Sequence, residues 1–137
     1  MGRILALDYG SKRTGIAVSD PLKMIANPLA TVDTDELIPF LTHYLQQEEL
    51  ETIVVGIPLD LMNRKTHGTK GAENIVERIK GLFPHIGVVT IDERFTSKIA
   101  FDSMKVSGIS KKKRADKSLV DKLSATIILQ SFMEQPT

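Results

Sequence analysis

The chain has 137 residues, 42% apolar and 26% charged, with 18 basic and 17 acidic side chains that leave a net charge of +1; this is the composition and size of one folded domain with a single core, not of a disordered chain. The absence of cysteine excludes a disulfide framework and thiolate chemistry. No apolar stretch approaches the roughly 20 residues that cross a bilayer, and Met1-Gly2-Arg3 leads straight into a strand-like run without a secretory h-region, so a cytoplasmic domain with no membrane attachment is expected.

Residues 3–8 and 15–20 read as two strands joined by the polar loop Tyr9 to Thr14, an arrangement that suits a hairpin. A third strand lies within Met24 to Val32, weakened by Pro28. Asp33 to Glu36 carries helix-start chemistry, and Pro39, which has no amide hydrogen, must fall in the first turn; the N-cap is expected near Asp35 and the helix over 36–48. Thr52 to Ile57 is a continuous apolar run ended by Pro58, as in a strand buried on both faces.

The polar stretch Asp60 to Lys70 then reads as a loop. Ile75, Val76, Ile79, Leu82 and Phe83 recur at helical spacing, predicting a helix over 71–83, stopped by Pro84 and followed by a strand over 87–93. A short helix is expected from Ser97 to Val106, a basic loop over Lys111 to Lys117, and a last helix over 119–134. Three strands, a helix, a strand, a helix, a strand and terminal helices predict an α/β domain with a five-stranded mixed sheet flanked by helices. The same order of elements occurs in RNase H-like domains.

Three acids stand out. Asp8 ends the run Ile4-Leu5-Ala6-Leu7, at the carboxyl edge of a strand, where open α/β sheets place ligands. An ordinary reading is an Asp that bonds the following turn. Asp92 and Glu93 end another strand, and alternation allows only one of them to face the Asp8 edge; the sequence leaves open which. Arg94 beside them suits either an ion pair or a phosphate contact.

Asp121 shares a helix face with Ala125, Ile128 and Phe132, so its carboxylate points the way the core does, a costly placement unless paired or metal-bound. Against this, Ser118 to Asp121 also fits a capping box that needs no function. Carboxylates are hard oxygen ligands, so a site made of Asp8, Glu93 and Asp121 favours Mg²⁺ or Mn²⁺.

The run Lys111-Lys112-Lys113-Arg114 reads as a solvated loop or, beside an acidic cluster, as the cations that hold a phosphate backbone. Lys12 and Arg13 in the hairpin turn add to the same surface. Gly56-Ile57-Pro58 followed by Gly68 and Gly71 could offer backbone amides to a phosphate, or form a plain strand-to-helix loop. The histidines are scattered, with only His67 placed in a loop of interest.

At these positions the sequence resembles the YqgF family, also called RuvX, of Holliday-junction-resolvase-like pre-16S rRNA nucleases. The segment from Leu7 to Asp20, Leu-Asp-Tyr-Gly-Ser-Lys-Arg-Thr-Gly-Ile-Ala-Val-Ser-Asp, is similar to the family's N-terminal signature. Val54 to Pro58 is similar to its central Gly-x-Pro strand end, Asp92 to Ser97 to its Asp-Glu-Arg block, and Val120-Asp121 through Gln130 to its last helix. One departure is the loop from Leu59 to Gly71, longer and less glycine-rich than in many relatives.

The resemblance implies one RNase H-like nuclease domain over residues 1–137, a cytoplasmic place in ribosomal RNA maturation, and Asp8, Glu93 and Asp121 as catalytic acids that bind metal. Its substrate would be pre-rRNA or branched DNA, met in ribosomal precursor particles, with the protein a monomer or a homodimer. A non-catalytic nucleic-acid-binding factor for ribosome assembly or transcription is the alternative. The pattern Asp8-x-Gly10 with Gly15 also resembles the first phosphate loop of actin-like kinases, but 137 residues leave no second domain to close over ATP.

Overall fold

The computed structural model describes residues 2–57, 67–92 and 117–134. At its centre lies a five-stranded sheet in the order β3-β2-β1-β4-β5, built from β1 (Arg3–Asp8), β2 (Arg13–Ser19), β3 (Ala26–Asp33), β4 (Leu50–Ile57) and β5 (Gly87–Asp92). Strands β1, β2 and β3 pair antiparallel, while β4 runs parallel to β1 and β5 parallel to β4. The mixed sheet follows directly from connection length: a short loop can only return the chain antiparallel, whereas a helical crossover permits the parallel pairs.

The helices are α1 (Leu37–Gln47), α2 (His67–Leu82) and α3 (Lys117–Glu134). Alternation along β1 divides the layers. Leu5 and Leu7, with Ile16, Val18, Ile53 and Val55 of the neighbouring strands, pack under Leu37 and Leu41 of α1 and Ile75, Val76 and Ile79 of α2. Ile4, Ala6, Ala17 and Val54 face the other way, against Ala125, Ile128 and Leu129 of α3. Because β1 and β4 are covered on both faces, their apolar residues form runs instead of alternating with polar ones.

Several boundaries differ from the sequence expectation, each for a local reason. Strand β2 starts at Arg13, two residues early, because the polar Thr14 is fully buried and its hydroxyl bonds Thr34 Oγ1 at 3.0 Å. Strand β3 tolerates Pro28 because it lies at the sheet edge, where a missing amide leaves no ladder partner unsatisfied. A 3-10 turn over Thr34–Glu36 precedes α1, which puts Pro39 third in the helix, where its missing amide hydrogen costs nothing.

Helix α2 begins at His67 and includes Gly71, because the bare Cα of Gly71 accepts the ring of Tyr9: a Cβ there would stand 2.7 Å from Tyr9 Cε1. Gly71 is thus a packing position, not part of a phosphate-binding loop. Helix α3 already includes Lys117 and Ser118, earlier than residue 119.

Candidate active site

The carboxyl end of β1 places Asp8 in a lateral row that crosses the whole sheet: Thr31 of β3, Gly15 of β2, Asp8 of β1, Gly56 of β4 and Ile91 of β5. Residues paired across strands share a face. The face is that of α3, since Asp8 has the parity of Ile4 and Ala6, and Ile91 packs with the α3-side cluster. Asp8 is therefore flanked on both sides by residues without side chains.

The glycine on the β2 side has a definite purpose. A Cβ on Gly15 would run into the carbonyl group of Asp121 and stand 3.0 Å from the Asp121 Cβ. Its backbone is not left-handed, so the requirement is space alone. Helix α3 thus rests on β2 at Gly15, and Asp8 and Asp121, 113 positions apart in the chain of 137, both border that one residue. Ala125, Ile128 and Phe132, one to three turns further along α3, extend the same face into the core.

The capping-box reading of Asp121 fails here. Capping needs the third helical position, and Asp121 follows four residues that are already helical.

Arg13, the first residue of β2, shares the face of Gly15, and its Nε donates to Asp121 Oδ2 at 3.4 Å. The hairpin that carries it is pinned. The Thr34 hydroxyl donates to the Gly10 carbonyl at 2.5 Å, the Thr34 amide donates to the Lys12 carbonyl at 2.8 Å, and the Thr14 hydroxyl completes the chain. Lys12 projects from this hairpin, exposed.

The choice between Asp92 and Glu93 narrows. Asp92 pairs with Ile57 and has the parity of Val88; both Ile57 and Val88 pack on the α1 and α2 side. Asp92 is thus on the face opposite Asp8. Glu93, Arg94, Lys111, Lys112, Lys113 and Arg114 lie outside the described residues, as does the His67 side chain. Among the described residues no group of three or more potential ligands gathers to hold a metal. Asp8 and Asp121 are the two that could contribute to one, and two carboxylates against a glycine suit a hard, oxygen-seeking cation.

Residues 2–135 match the family model described as RuvX, Holliday junction resolvase. The chain belongs to the RuvX family. It is 49% identical over 134 residues to a protein of Bacteroides fragilis named "Putative pre-16S rRNA nuclease", covering 98% of this chain and 97% of that one. A protein of Christiangramia forsetii with the same name is 49% identical over 133 residues, covering 97% and 98%.

Among solved structures, T. thermophilus RuvC in complex with a Holliday junction substrate matches over 100% of this chain and 99% of its own, with a TM-score of 0.58 at 14% identity, a likeness of fold alone. The RNase H-like architecture is thereby shared across a wide sequence distance. The stretch Leu7 to Asp20 covers the end of β1, the hairpin and β2, so one short segment of the chain brings Asp8, Arg13 and Gly15 together.

Two positions that shape the candidate site escaped the sequence reading. Gly15 was legible as a glycine inside an apolar strand, a sign of close backbone approach. Thr34 gave no signal, because its three hydrogen bonds join the hairpin to a segment 20 or more residues away.

Proposed function

We propose that this RuvX-family chain acts as a single metal-dependent nuclease domain over residues 1–137, cleaving phosphodiester bonds of structured nucleic acid, with the 5′ end of pre-16S rRNA in ribosomal precursor particles as its substrate and the cytoplasm as its place of action. One observation carries the reading: Asp8 and Asp121 both border Gly15 on one face of the sheet. Two carboxylate-bearing residues on one face, bordering a residue without a side chain, supply hard oxygen ligands of the kind that suit Mg²⁺ or Mn²⁺. The cation's chemistry would be to lower the pKa of bound water and offset charge on the phosphate.

Asp92 stands on the opposite face, which favours Glu93 as the third acid. Lys12, Arg13, Arg94 and the run Lys111 to Arg114 would hold the phosphate backbone, and the names borne by the relatives support RNA as the substrate. A second reading, a nucleic-acid-binding factor without catalysis, draws on the ion pair of Arg13 with Asp121, since a permanent internal cation would satisfy that acid without metal.

The decisive experiment compares wild type with Asp8→Asn, which keeps the volume and removes the charge. Mn²⁺ is expected to raise the melting temperature of the wild type and not of the variant, and cleavage of a pre-16S 5′-end RNA and of a four-way DNA junction, assayed side by side, is expected to fall to background. Undiminished metal-dependent turnover in Asp8→Asn would reject the assignment; metal-independent binding of either substrate without cleavage would favour the second reading.

A further inference from the structure

Arg13 occupies a position with two competing demands. Its Nε holds Asp121 Oδ2 at 3.4 Å, while its two terminal nitrogens make no further hydrogen bond among the described residues. Both side chains keep contact with solvent, at 39% and 27% exposure for Arg13 and Asp121. A guanidinium held by one edge, with its planar outer fork open, is shaped for a second oxyanion, and phosphate accepts such a fork through two parallel hydrogen bonds. The base of the side chain is held in place, because the hairpin is bonded to Thr34 at Gly10, Lys12 and Thr14.

Resting on the metal-nuclease reading above, we infer that Arg13 is a shared cation: it partners Asp121 before nucleic acid arrives and turns to a backbone phosphate afterwards, so that substrate binding and divalent-cation binding are coupled. A positive guanidinium beside Asp121 both competes for the carboxylate and repels a dication. Drawing it onto a phosphate removes both effects of Arg13 on Asp121 and so favours the metal. Linkage makes the coupling reciprocal: the factor by which nucleic acid tightens metal binding equals the factor by which metal tightens nucleic acid binding. The chain would thus load metal most readily on the strand to be cut.

The test is titration of Mn²⁺ alone into the intact protein by calorimetry, for wild type, Arg13→Gln, Arg13→Lys and Lys12→Gln. Arg13→Gln is expected to bind Mn²⁺ about fivefold more tightly than wild type, the scale set by a partly exposed ion pair. Lys12→Gln makes the same change in net charge in the same hairpin without touching Asp121, so it is expected to stay within about twofold. Arg13→Lys keeps the charge and loses the fork, and should leave Mn²⁺ affinity near wild type while weakening nucleic acid binding.

Anisotropy of a labelled RNA hairpin in Ca²⁺ and in EDTA reads the other side of the cycle: Ca²⁺ should strengthen RNA binding to the wild type by several-fold more than to Arg13→Gln. Equal or weaker Mn²⁺ binding by Arg13→Gln, with its melting temperature retained, would overturn the inference and leave Arg13 as a brace for Asp121. A wild type that binds no Mn²⁺ sensitive to Asp8→Asn would instead remove the nuclease reading on which the inference rests.

Discussion

The two faces of the sheet are built to different rules. On the side of α1 and α2 the strands present large side chains, Leu5, Leu7, Ile16, Ile53 and Val55, all fully buried beneath the helices. On the side of α3, Ile4, Val54 and Ile91 stand beside the smaller Ala6, Ala17 and Gly15, and the helix comes down at the small residues until the Asp121 backbone rests on Gly15. The first face maximises apolar burial. The second gives up side-chain volume for close approach, which lets a helical acid and a strand acid border the same residue.

The sharpest way to break the second face is Gly15→Val. The added side chain collides with backbone, which cannot rotate aside, so α3 must move; a loss of about 4 kcal/mol or more in urea unfolding is expected, together with loss of the Mn²⁺-dependent thermal shift even where the protein stays folded. Stability within about 1 kcal/mol of wild type would mean that the helix does not need to approach so closely.

Leu7→Ala attacks the first face instead. A fully buried leucine removed from a packed core should cost about 2–5 kcal/mol, but the folded fraction is expected to bind Mn²⁺ with unchanged affinity, since Leu7 points away from Asp8. A large drop in affinity per folded molecule would show that the two faces are not independent.

Smaller still in stability is Asp121→Glu. The residue lies beyond the first turn of α3, so no cap is lost and the change should cost about 1 kcal/mol or less. The extra methylene displaces the carboxylate by more than the roughly 0.5 Å that a preorganised site tolerates, so most metal affinity and cleavage should disappear. Retained cleavage would leave Asp8 and Glu93 as the supported acids.

The smallest expected effect lies far from the site, in the turn between β2 and β3. There Asp20 accepts hydrogen bonds from the amides of Leu22, Met24 and Ile25 at 3.2, 2.7 and 2.8 Å, and the bond from Ile25, then those from Met24 and Leu22, hold its carboxyl below the usual aspartate range. With the folded value depressed, this stabilisation is present above the unfolded pKa and is lost as pH falls through the folded one. Asp20→Asn should therefore flatten the acid limb of a stability profile slightly and leave neutral-pH metal binding untouched. An unaltered acid limb would show that solvent screens these bonds completely.

The sequence by itself determined the order of the strands and helices among the described residues, with the expected helix from Ser97 to Val106 lying outside them, because apolar periodicity and the proline positions are local signals with a direct physical cause: Pro39 had to fall in a first turn, and Ile75, Val76 and Ile79 had to share a helix face. It also marked Asp8 and Asp121, the first by its place at a strand end and the second by its place on an apolar face. Only the tertiary structure decided that Gly15 is the point where these two acids meet, that Arg13 is held by Asp121, that Thr34 pins the hairpin, and that Asp92 looks the other way. Each of those depends on which strand lies beside which and on how far apart the layers stand, and such distances are set by the packing of residues remote in sequence, so no window along the chain contains them.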